Sequence, residues 1–70
     1  MKSEETIEYH PSKTTKEEAM LKVEFKAFSK IIKKIRNKEF KYIKITTGIT
    51  NLSDYYDLAK ARCSIHLSEE

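Results

Sequence analysis

Apolar residues recur at helical spacing through one long stretch, residues 15 to about 37. Leu21, Phe25, Phe28, Ile32 and Ile35 stand four, three, four and three apart, so a helix stacks them into a single stripe. Met20, Ala27 and Ile31 widen that stripe on one flank. Lys22, Lys26, Lys30 and Lys33 form a second, basic stripe on the other side. The pattern predicts a long amphipathic helix whose Leu21/Phe25/Phe28/Ile32/Ile35 stripe faces a core. Its start is marked by Thr15-Lys16-Glu17-Glu18, a capping box in which the Thr15 hydroxyl accepts from the Glu18 backbone N–H and the Glu18 carboxylate reaches back. Lys33, Lys34, Arg36 and Lys38 suit the negative end of the helix dipole, and Asn37 can take the left-handed conformation that closes a helix.

The remaining pattern alternates. Residues 4–10 put Ile7 and Tyr9 on one side of an extended segment and Glu8 and His10 on the other, a short strand stopped by Pro11. Residues 40–47 are aromatic and β-branched and run up to Gly48, which predicts the central strand. Ile43 and Ile45 on one face of it should meet the helix, leaving Phe40, Tyr42, Lys44 and Thr46 on the other. Residues 48–51 read as a turn. Ser53 and Asp54 then offer an N-cap and an acidic first turn for a short second helix to about residue 62, with Tyr55, Leu58, Ala59 and Arg62 at helical spacing. Cys63, Ile65 and Leu67 alternate with Ser64, His66 and Ser68 as a half-buried C-terminal strand. The expected fold class is α+β, a single small domain over residues 1–70 with three short strands, one long amphipathic helix and one short helix in the order β-α-β-α-β.

Seventy residues lie near the lower limit at which a chain buries enough apolar surface to fold unaided. One cysteine cannot form an internal disulfide, and no Cys/His spacing suggests zinc, so stability must come from packing or self-association. Cys63 within an apolar alternation reads as a buried structural thiol, and a lone thiol fits a reducing compartment. With no apolar run long enough for a membrane span and a polar, acidic start lacking a signal-peptide core, the expected location is cytoplasmic, without a membrane partner.

The net charge is only +3, but it is unevenly placed. Residues 13–44 carry eleven Lys/Arg against four Glu, a balance of +7, and the rest of the chain carries −4. Such asymmetry calls for an acidic partner or for neutralisation of one part by the other.

Catalytic signatures are weak. One glycine cannot build a phosphate-cradling loop, and Cys63 and His66, three apart, fall on opposite faces of a strand and cannot act as a pair. His10 reads as a solvated strand-end residue. No cofactor, metal site or catalytic residue is expected. The binding candidates are Lys22, Lys26, Lys30, Lys33, Lys34 and Arg36 for phosphates, Phe40 and Tyr42 for stacking on bases, and Tyr55 and Tyr56 as an acidic aromatic patch for a protein. A solvated lysine face and ordinary sheet-covering aromatics account for the same residues. A small regulator or inhibitor that docks on another protein ranks first, because nucleic-acid binders are commonly more basic than this. A nucleic-acid-binding protein with the lysine stripe on phosphates is the alternative, and a homodimer is compatible with either.

Overall fold

The structure, a computed structural model, describes residues 1–35, 39–53 and 55–69. Strand β1 (Lys2–Tyr9) is followed by helix α1 (Lys16–Lys34) and two long strands, β2 (Tyr42–Ser53) and β3 (Leu58–Ser68). The sheet order is β1-β3-β2, with both outer strands antiparallel to β3. The order of elements is therefore β-α-β-β, and two expectations are corrected.

The segment expected to form the central strand lies at the sheet edge and runs through Gly48 to Ser53, where a turn was expected. Gly48 pairs with Arg62 in regular register, so glycine here is a strand residue. The short second helix does not form. Ala59, assigned to that helix, belongs with Ala61, Cys63, Ile65 and Leu67 to a longer alternation that buries every member. Burial of a five-residue strand face outweighs intrinsic propensity, even that of alanine, the best helix former. Ser53, expected as an N-cap, therefore caps no helix. Ser53 Oγ accepts from the Tyr56 N–H at 3.3 Å, closing the β2–β3 turn. Asp54 lies outside the described residues.

β1 and α1 form as the pattern predicts. Thr15 Oγ1 accepts from the Glu18 N–H at 3.1 Å, and Glu17 and Glu18 occupy the first turn. The helix ends with the extended Ile35, whose N–H still reaches Ile31 O at 3.0 Å. The proposed Asn37 cap and the cations Arg36 and Lys38 lie outside the described residues.

Cross-strand neighbours in an antiparallel sheet point to the same side. One face thus carries Ser3, Glu5, Ile7 and Tyr9 from β1, Ala59, Ala61, Cys63, Ile65 and Leu67 from β3, and Ile43, Ile45, Thr47 and Ile49 from β2. α1 lies on this face but covers mainly β1 and β3, touching β2 little. It buries Ala19, Val23, Ala27 and Ile31, a file of strict four-residue spacing. Alanines on both sides of the contact let helix and sheet approach closely. The Ser3 hydroxyl, itself buried, donates to Ala27 O at 3.0 Å and ties β1 to the middle of the helix. Cys63 is fully buried, and His66 stands exposed on the opposite face, as the alternation requires.

The file that faces the core is not the stripe that the sequence points to. At about 100° per residue, the Leu21/Phe25/Phe28/Ile32 stripe lies roughly 140° around the helix from the buried file. Ile31 and Ala27, expected on its flank, are core residues; Leu21, Phe25, Phe28 and Ile32 are exposed, and of the predicted stripe Ile35 packs half-buried against the core. Spacing reveals that apolar residues share a side but not which side meets the sheet. Small residues win here because the sheet face opposite them is itself lined with Ala59, Ala61 and Cys63.

Candidate functional site

The predicted site residues do not converge. Lys22, Lys26 and Lys33 are exposed along one side of α1, and Lys34 is exposed at its end about a quarter turn away. Lys30 leans onto β1, where its ammonium forms an ion pair with the carboxylate of Glu5. That contact orients the helix, turning the basic stripe toward β1 and its opposite flank, with Phe28 and Ile35, toward β2. The hydrogen bond from Lys30 holds the Glu5 carboxyl below its ordinary value of 4.5; partial burial opposes this, and the charges of Lys30 and then Lys26 add to it. A carboxylate with a depressed folded-state pKa contributes stability that is present above its unfolded value and lost as the pH falls through the folded one. We expect urea midpoints to fall below about pH 4.5, with Glu5→Gln flattening that acid dependence and leaving the neutral-to-alkaline slope unchanged.

Tyr42 is exposed on the face of the sheet away from the helix, beside Lys44. Phe40 precedes β2 and packs half-buried against the core, so the two aromatics do not form one stacking platform. Tyr55 and Tyr56 sit exposed at the far tip of the β2–β3 hairpin, their rings edge to face with centroids 5.1 Å apart. Arg36 lies outside the described residues.

The open face of the sheet bears two features. Lys2, His66 and Lys44 form one cross-strand row, and a trough over Gly48 is lined by Glu4, Thr46, Thr50, Arg62 and Ser64. Arg62 already stands 4.0 Å from Glu4, so its charge is partly answered within the trough.

At the hairpin tip, residues that resemble a catalytic set meet. Asp57, with φ 51°, accepts from the Ser12 backbone N–H at 3.2 and 3.3 Å and from the Ser12 hydroxyl. His10 Nδ1 donates to Asp57 O at 2.8 Å. The serine proton is directed at the carboxylate rather than at the imidazole, so the arrangement pins the β1–α1 loop to the hairpin and does not activate a nucleophile. Aspartate is among the residues that tolerate the left-handed conformation needed there.

What the sequence reading missed is the largest surface feature. Leu21, Phe25, Phe28 and Ile32 are 66, 75, 37 and 62% exposed on α1, and Ile43 and Ile45 are 63 and 45% exposed on the uncovered part of β2. The helical stripe and the two β2 isoleucines are thus two exposed apolar surfaces, the second on the sheet face that carries the helix but in the part of it that α1 touches little. Glu24, half-buried, borders the first. Both parts were visible in the sequence as apolar stripes. What was invisible is that the sheet leaves the helical stripe uncovered and that the helix, against expectation, does not cover Ile43 and Ile45.

Comparison with known proteins places the chain in no family. No protein-family model, curated protein or solved structure matches it. Among the described residues no helix is long and apolar enough to cross a membrane, and no group of three His, Cys, Asp or Glu is placed to hold a metal.

Proposed function

We propose that this chain is a small non-enzymatic regulator or inhibitor that acts by binding another protein. The observation that supports it is the exposed surface of Leu21, Phe25, Phe28, Ile32, Ile43 and Ile45. Exposed apolar side chains grouped in this way are characteristic of protein contacts, where aromatic anchors carry most of the binding energy. The buried lone thiol Cys63 is consistent with a reducing compartment, and we place the protein in the cytoplasm on that ground.

The lysine stripe supports a second reading, nucleic-acid binding. Among the described residues Lys30 alone of that stripe reaches an acid at ion-pair distance, leaving Lys22, Lys26 and Lys33 turned to solvent. One set of variants separates the two. Phe25→Ser with Ile32→Ser should abolish retention of a protein partner by the immobilised chain, while Lys22→Glu with Lys26→Glu should leave it. If the lysine variant instead removes a salt-sensitive nucleic-acid complex that the apolar variant keeps, the second reading replaces the first. Lys30 is avoided because its reversal would set two carboxylates against each other at Glu5.

A further inference from the structure

We infer that the occupant of the apolar surface is a second copy of this chain, packed face to face so that the helix crown of each copy lies over the uncovered β2 of the other. The inference rests on the reading of this surface as a protein-docking site and names what docks there.

The first reason is the size of the core. Four of the ten buried apolar residues are alanines, and the largest fully buried side chains are Ile31, Ile65, Val23 and Cys63. Several of the bulkier apolar side chains stay outside. The molecule is a thin slab of 46 × 18 × 14 Å with a radius of gyration of 14.0 Å, against about 11 Å for a compact domain of this length. For a chain near the lower size limit for folding, self-association is one way to gain the burial that its own core lacks, and a second copy is a partner always present with it.

The second reason is complementarity. Leu21, Phe25, Phe28 and Ile32 extend over roughly 17 Å of helix, and the floor of Ile43, Ile45, Thr47 and Ile49 over roughly 20 Å of strand. The helical crown and the strand floor are therefore matched in length and sit on the same chain, as a two-fold contact requires. None of the residues that form them is charged, and Glu24 stands at their border. The Lys22/Lys26/Lys33 side faces β1, away from the strand floor. The six side chains expose on the order of 600 Å², most of the roughly 800 Å² per partner of a standard interface.

The crown of one copy meets the floor of the other, so Phe25 faces Ile45 across the contact twice. That pairing gives the test. Light scattering at micromolar to several hundred micromolar concentration should give the wild-type chain twice its monomer mass. Phe25→Glu alone and Ile45→Lys alone should each give the monomer mass, and mixing the two variants should restore the doubled mass, because one of the two contacts becomes an ion pair and the other returns to Phe against Ile. Circular dichroism follows folding, and a variant that unfolds alone but regains helix on mixing supports the same contact. A wild-type chain that stays monomeric throughout overturns the inference, as do variants that remain dimeric. If the monomeric wild-type chain retains an unrelated protein and Phe25→Glu does not, the docking surface stands and only the second copy is wrong. If it retains nothing, both readings fall.

Discussion

Ile31→Ala is expected to destabilise the fold by about 2–5 kcal/mol, whereas Ile32→Ala, one residue further along the same helix, changes intrinsic stability by no more than about 0.5 kcal/mol. The two isoleucines are chemically identical neighbours, 2 and 62% exposed. Ile31 fills the space between α1 and the buried face of β3, and truncating it leaves a cavity among Val23, Ile65 and Leu67, which are already packed. A core this small supplies only about 3–5 kcal/mol, so the Ile31 variant should be largely unfolded at room temperature. Any contribution of Ile32 should depend on protein concentration, since a surface residue gains burial only through association. Urea unfolding at two protein concentrations measures both quantities. Equal losses for the two variants, independent of concentration, would mean that the helix is rotated from the orientation described.

Ala27→Leu should be the second severe change, lowering stability by about 1–3 kcal/mol and the melting temperature by on the order of 10 °C. Leucine is as good a helix former as a surface position could ask for, so local propensity predicts little harm. The harm is tertiary. Ala27 is fully buried, and its own carbonyl accepts the hydrogen bond from Ser3. Added bulk there pushes the helix off the sheet and stretches the tie to β1. The control is Phe28→Leu, which changes size at the partly exposed position next to it and should leave the melting temperature within about 2 °C by the same scaling. A melt of Ala27→Leu that matches the wild type would show that helix and sheet are separated by more space than the alanine contact implies.

The sequence by itself determined the local features. The Thr15 N-cap, the strand at Ile7 and Tyr9, the burial of Cys63 and the separation of Cys63 from His66 all follow from interactions within a few residues or from a period of two. The faces of β2 were also legible, since alternation assigns Ile43 and Ile45 together whatever lies above them. Tertiary structure decided the rest. The run from Ser53 to Arg62 satisfies helical spacing and strand alternation at once, and it became a turn and a strand because pairing β3 with both β1 and β2 satisfies its backbone along its whole length. The side of α1 that meets the sheet was settled by the fit of Ala19, Val23, Ala27 and Ile31 against a small-residue face, reinforced by the Lys30 contact with Glu5. A helical stripe of larger side chains carries the stronger periodic signal, but periodicity reports only which residues share a side. Which side is buried depends on the shape of a surface built from residues thirty or more positions away.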